Sequence, residues 1–236
     1  MSKIGDPFFS YLQKYNGRAR VSGNEIGDPF YYSTIAADKI TLYDLEQRFN
    51  LQQVSDPAFF TEWQEDLPAL TQSEQQRLER VRAIVSNLER RSVLENTVKL
   101  AVIAPLLDLS GMFLPPFYVS TEDSVEIEAT DQSVVVRGRI DILVLKEQLW
   151  VLVIESKRAE FSPKVGIPQV LSYMLATPKR DYPLYGLVTN GTDFVFLKLR
   201  FEDVPRYGRS RQFVLGQDHD LDRVLQILKR LAEIVE

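Results

Sequence analysis

The chain has 236 residues, 44% hydrophobic and 26% charged, which suits one globular domain or a domain with an appendage. It has no cysteine, which excludes disulfides, thiolate zinc sites and a cysteine nucleophile. A net charge of −5 argues against a protein that coats nucleic acid non-specifically, while leaving room for a local basic cleft or a nuclease whose acids are covered by metal ions.

Residues 1–38 read as an N-terminal extension of unknown role. "IGDPFFS" at 4–10 recurs as "IGDPFYYS" at 26–33, with a weaker echo, "SDPAFF", at 55–60. Asp followed by Pro is a helix-capping pair, and the echo is read that way. The first two copies are open to three readings: a short duplication, an interaction arm able to form a homodimer, or sequence outside the main domain. No apolar stretch reaches membrane-spanning length and the N-terminus lacks a signal-peptide core, so a cytoplasmic protein without membrane contact is expected.

From residue 39 to 236 the pattern is that of a regular domain. "TLYDLEQRFNL" predicts a short helix and "SDPAFFTEW" begins another. "SEQQRLERVRAIVSNLER" at 73–90 puts Leu78, Val81, Ile84, Val85 and Leu88 at helical spacing. "SVLENTVKLAVIAPLLDL" at 92–109 predicts a more apolar helix, interrupted near Pro105. Strands follow: "PFYVS", "SVEIEAT", "SVVVRGRIDILVL" and "LWVLVIESK". A helix over 163–177 comes next. "LYGLVTN", "GTDFVFLKLR" and "RQFVL" are further strands, and "DLDRVLQILKRLAEIVE" is a closing amphipathic helix. His219, the single histidine, stands in "GQDHDLD" and reads as a helix-start residue rather than a triad base. Strands in the middle with helices around them predict an α/β fold, a central mixed sheet flanked by helices.

One pair of strands carries an anomaly. "WVLVIESKR" reads as a strand buried on both faces, yet it ends in Glu155 and Lys157, which share a face at i and i+2. In the preceding "GRIDILVL", Asp141 is a lone acid in an apolar run, and an unpaired buried charge costs several kcal/mol. With Lys146, Glu147 and Gln148 as the loop, Leu145 pairs with Leu149, Asp141 lies opposite Val153, and Glu155 opposite Arg139. Asp141, Glu155 and Lys157 then share one face. A structural ion pair is the bland account. Paired carboxylates also serve glycoside hydrolysis, but that chemistry gives the lysine no general role. Carboxylates that hold Mg²⁺ (or Mn²⁺), with a lysine beside the attacking water, suit phosphodiester cleavage better.

Asp141, then Glu155-x-Lys157 across a hairpin, then Gln169-x-x-x-Tyr173 on the next helix, resembles the PD-(D/E)xK nuclease superfamily. The Q-x-x-x-Y helix is similar to that of type I restriction motor (R) subunits and RecB-like nucleases. From Thr41 onwards the chain resembles the small standalone proteins, frequent in cyanobacteria, described as type I restriction R-subunit-like; "FFTEWQEDLPALT", "VLENTVKLAVIAPLLDL", "RGRIDILVL", "LWVLVIESK" and "VTNG" carry that likeness. The resemblance implies a restriction-endonuclease-like core. It also implies metal ligation by Asp141, Glu155 and the Ser156 carbonyl, with Glu95 as an upstream helix acid. Lys157 would position water, and Gln169 and Tyr173 would support the lysine or contact DNA. Ile140 stands where the family's proline would be, and there is no GxxxxGK[ST] loop, so no ATP motor is encoded.

Candidate DNA contacts are Arg158, Lys164, Lys179 and Arg180, with Arg139 and Arg137 one strand over; "RYGRSR" at 206–211 reads as a solvated loop. The leading expectation is a Mg²⁺-dependent DNA endonuclease, working alone or with restriction-modification partner subunits. The alternative is a non-catalytic DNA-binding or assembly module of a restriction or repair complex, and a third reading is a nuclease for RNA or DNA ends.

Overall fold

The structure, a computed structural model, describes residues 33–88, 90, 93–128, 134–158 and 160–235. The "IGDPFFS" copy and its repeat up to Tyr32 lie outside the described residues. Eight strands form one mixed sheet: β1 (Ser33–Ala36), β2 (Gln52–Gln53), β3 (Phe117–Glu128), β4 (Val134–Lys146), β5 (Leu149–Ser156), β6 (Leu184–Thr189), β7 (Asp193–Phe201) and β8 (Pro205–Val214). The order is β1-β4-β5-β6-β7-β8-β2, with β3 also paired to β4. β1–β4, β5–β6 and β2–β8 are parallel and the other pairs antiparallel. This is the α/β architecture expected. The N-terminal boundary moves, because β1 falls within the supposed extension yet pairs with β4 in the main sheet.

Two helical layers cover the sheet. On one face lie α2 (Gln72–Leu88), the segment α3 (Glu95–Val98) to α4 (Ala104–Leu109), and α6 (Asp220–Val235). Leu78, Val81, Val102, Leu106 and Leu228 pack there on Val144, Leu152, Phe196 and Phe213. On the other face α1 (Leu42–Phe49) and α5 (Ile167–Leu175) set Leu45, Val170 and Met174 against Val136, Val153 and Leu197. Every residue of β5 from Val151 to Ser156 is buried, as a strand between two layers should be.

Local chemistry fixes most boundaries. Thr41 and Asp44 form a capping box at α1, and Thr71 and Glu74 exchange the same two bonds ahead of α2. On α2, Leu78, Val81 and Val85 are buried, but Ile84 is 37% exposed. Between α3 and α4 the helix widens into a π turn, Lys99–Ile103, and Pro105 sits in the first turn of α4. The expected interruption is therefore a π register, in which the proline's missing N–H is tolerated.

Three expectations need correction. "SDPAFF" caps only a 3-10 turn, Pro57–Phe59, although Asp56 accepts from the Ala58 N–H at 2.9 Å as the capping reading requires. "PFYVS" and "SVEIEAT" are one continuous strand, β3. "RYGRSR" lies inside β8, not in a loop. Two of its three cations are engaged: Arg206 pairs with Glu202, and Arg211 pairs with Asp220 and covers the Phe213 ring. His219 precedes α6 and is exposed, as expected of a helix start.

The candidate active site

The β4–β5 hairpin determines what meets at its open end. Its turn is two residues, Glu147 and Gln148, with Glu147 at φ 54, so Lys146 pairs with Leu149 and Leu145 with Trp150. That register alone would put Asp141 and Glu155 out of step. A bulge then shifts it, and Val144 pairs with Leu152, Leu143 with Val153 and Ile142 with Ile154. Continued one step, this register sets Asp141 level with Glu155, where the sequence reading put Val153 and Arg139. The two-residue turn and the bulge at Val151 replace the three-residue loop and reach the same convergence of acids by another route.

Asp141 stands at a second irregularity. Ile140 packs in the α5 layer and Ile142 in the α6 layer, although positions two apart normally share a face. On the neighbouring strand, Glu122 lies between the pairs Thr121–Ile142 and Asp123–Ile140 and has φ 61. Both strands are thus irregular at one level without losing their pairing register, which lets the Asp141 side chain reach across to β5. Its Oδ2 accepts from the Ser156 N–H and hydroxyl, each at 2.8 Å, and its Oδ1 accepts from Lys99 Nζ at 2.7 Å.

Glu155 is almost wholly enclosed, with 5% of its side chain exposed. Oε1 accepts from Lys157 Nζ at 2.8 Å, while Oε2 is buried without a hydrogen-bond partner. Burial first, and then the charge of Asp141, push its pKa up to about 7, against the opposing pull of Lys157. Lys157 also donates to Gln169 Oε1 at 2.6 Å, and Gln169 Nε2 donates to the Tyr173 hydroxyl at 2.8 Å. Glu155, Lys157, Gln169 and Tyr173 form one chain of contacts, the last two a helical turn apart on α5 as the spacing predicted. Burial holds the Tyr173 hydroxyl well above the ordinary phenol range, so it stays a neutral donor and acceptor.

Two glycines make this packing possible. A Cβ on Gly138 would stand 2.5 Å from Ala37 Cβ and 2.8 Å from the Tyr173 hydroxyl, so β4 is bare where Tyr173 crosses it. A Cβ on Gly166 would meet Val188 at 2.7 Å and the Lys157 stem at 3.1 Å. Asn190 does more than turn the β6–β7 hairpin: its amide donates to the Phe161 carbonyl at 2.9 Å and its oxygen accepts from the Thr192 and Asp193 N–H groups. It thereby ties the loop after β5 to the strand ends beside the site.

The remaining expected residues divide. Glu95 opens α3, exposed, close enough for its charge to raise the pKa of Glu155. Among the described residues no three acids or histidines gather tightly enough to hold a metal, so Glu95 does not complete a triad with Asp141 and Glu155. Arg139, 64% exposed, approaches Glu122 at the site end of β4, and Arg158 and Lys164 are exposed on the segment leaving β5. Lys179 and Arg180 do not border the cleft. α5 runs back along the sheet, and Arg180 stacks on Phe201, beyond the end where Leu184 pairs with Leu199 and opposite to the Ser156–Thr189 end. Arg137 is paired with Glu126.

Sequence reasoning missed Lys99. It lies one helical turn from Glu95, a spacing that puts both on one face and was open to reading. Its Nζ bonds Asp141 and, at 3.1 Å, Glu122. Burial pulls its pKa down, but the hydrogen bonds and charges of Asp141 and Glu122 prevail and raise it, so it is a full cation.

As to donor chemistry, two carboxylates meet here and one carboxylate oxygen is buried without a partner. Such an oxygen demands a proton or a cation, and oxygen ligands of this kind fit a hard divalent ion.

No family model and no curated protein matches the chain. Among solved structures it is similar to a fragment assigned to the HsdR subunit of a type I restriction enzyme from Vibrio vulnificus YJ016, with 19% identity and a TM-score of 0.36. The match covers 58% of this chain and 25% of that one. The chain thus spans a quarter of that structure's length.

Proposed function

We propose that the chain is a Mg²⁺-dependent deoxyribonuclease, an endonuclease of restriction type without a motor, that hydrolyses phosphodiester bonds at the open end of the β4–β5 hairpin. The observation that carries the reading is the buried, unpartnered Glu155 Oε2 beside Asp141, at the head of the Lys157–Gln169–Tyr173 chain. The Asp141, Glu155-x-Lys157 and Gln169-x-x-x-Tyr173 resemblance supports it. A divalent ion held by Asp141, Glu155 and the Ser156 carbonyl would polarise the scissile phosphate and assist deprotonation of water.

The chain's own residues supply the rest. Lys157 is held between Glu155 and Gln169 with 16% of its side chain exposed, so its ammonium stays oriented and reachable. It orients the attacking water and meets the negative charge that grows on the phosphoryl oxygens. Gln169 uses its carbonyl on Lys157 and its amide on Tyr173, and neutral Tyr173 fixes which way the amide points. Arg139, Arg158 and Lys164 provide phosphate contacts at the same end. Partner subunits of a restriction-modification system belong to the same proposal.

A second reading, a DNA-binding or assembly module without catalysis, is favoured by one observation: Lys99 already neutralises Asp141. Supercoiled plasmid and single-stranded DNA incubated with the protein and Mg²⁺ or Mn²⁺ separate the two. Cleavage by the parent that disappears with Glu155→Ala plus Lys157→Ala establishes the nuclease. DNA binding without cleavage by a folded, metal-loaded parent supports the module. Equal cleavage by both proteins overturns the site.

A further inference from the structure

Three irregularities converge on one side chain. The helix widens into a π turn at Lys99, β3 places Glu122 at a positive φ, and β4 changes face at Asp141. π turns and left-handed non-glycine residues each carry a cost and cluster at functional positions. Here all three serve one contact, in which Lys99 Nζ bridges Asp141 Oδ1 at 2.7 Å and Glu122 Oε1 at 3.1 Å. The two acids differ in setting. Asp141 has 14% of its side chain exposed and lies inside the site, whereas Glu122 is 51% exposed at its rim.

We propose that Lys99 is a positioning residue that stands in for a divalent cation at Asp141, holding the apo site in its working geometry and withdrawing onto Glu122 when the cation binds. The inference rests on the metal-dependent reading above. A carboxylate enclosed in protein needs a positive partner. Lys157 serves Glu155 in that way, and Lys99 serves Asp141. A lysine suits an exchangeable partner better than an arginine, since its ammonium is a single mobile point charge rather than a bidentate fork. The exposed Glu122 gives it a place to go.

Replacement of Lys99 acts on metal affinity and on the stability of the apo protein in opposite directions. Replacing Lys99 removes a competitor and a like charge from beside the cation, so Mn²⁺ binding to DNA-free protein tightens, by at least about threefold. The apo protein meanwhile melts at a lower temperature, because Asp141 is left unpaired. Titrations of Lys99→Met read by electron paramagnetic resonance of free Mn²⁺ test this, with Lys99→Arg as the conservative variant that keeps parent-like or weaker affinity. Glu122→Gln removes the withdrawal position and weakens Mn²⁺ binding. That loss disappears in the Lys99→Met background if Glu122 acts through Lys99. Folded Lys99→Met that binds Mn²⁺ no more tightly than the parent overturns the role of Lys99 alone. Parent and Lys99→Met that both bind no better than Asp141→Asn plus Glu155→Gln overturn it together with the metal-dependent reading.

Discussion

The site stores a cost that Glu155→Gln should release. The Glu155 carboxyl is pushed from its ordinary 4.5 up to about 7, by burial first and by the Asp141 charge second. Between those two values the native state holds more protons than the unfolded chain, so stability falls as pH rises through the window. Below about 4.5 both states are protonated and the group costs nothing; above about 7 the penalty is complete. At 1.36 kcal/mol per unit the full shift is worth about 3 kcal/mol. Burying the new amide without a partner for one of its polar atoms offsets part of that gain. A net 1–2 kcal/mol corresponds to roughly 2–8 °C for a domain of this size. Thermal unfolding in EDTA, followed by circular dichroism, should therefore show Glu155→Gln melting above the parent at pH 8 and below it near pH 4.5, where only the cost of the buried amide remains. Saturating Mg²⁺ should raise the parent at pH 8 and leave the variant unmoved. A variant less stable than the parent at pH 8, or a difference that ignores pH, would refute the reasoning that the ionised Glu155 is a native-state liability relieved by a cation.

Other outcomes follow from the same geometry. Lys157→Met keeps both acids and should lower the single-turnover cleavage rate by about 10²–10³ with little change in DNA affinity, measured by quench-flow and anisotropy. Tyr173→Phe frees the Gln169 amide and should cost roughly tenfold in rate with an unchanged KM, while stability drops by about 1 kcal/mol. Gly138→Ala forces a methyl into Ala37 and the Tyr173 hydroxyl and should destabilise by about 1–3 kcal/mol in urea titrations. Arg158→Ala and Lys164→Ala should each weaken DNA binding and reduce the salt slope by about one, whereas Arg180→Ala, at the far end of α5, should change neither.

Much of this arrangement was legible because local rules agree with the fold. β5 reads as a doubly buried strand, α5 carries Gln169 and Tyr173 at i and i+4, and Asp141 stands out as an acid in an apolar run. The hairpin register was not legible. Turn length and a bulge compensate each other there, and neither leaves a mark in an apolar sequence that alternates poorly. The place of Arg180 depended on the direction in which α5 returns across the sheet, a tertiary fact. Lys99 was hidden differently. Its partners lie 23 and 42 residues away, joined only by the sheet. The role of Gly138 likewise depends on where Tyr173 lands.

The most direct test of the central claim is nicking of supercoiled plasmid by highly purified protein in Mg²⁺, compared with Glu155→Gln prepared identically and with the parent in EDTA. The account predicts nicking by the Mg²⁺-loaded parent only. Equal nicking by Glu155→Gln, or undiminished nicking in EDTA, would contradict it.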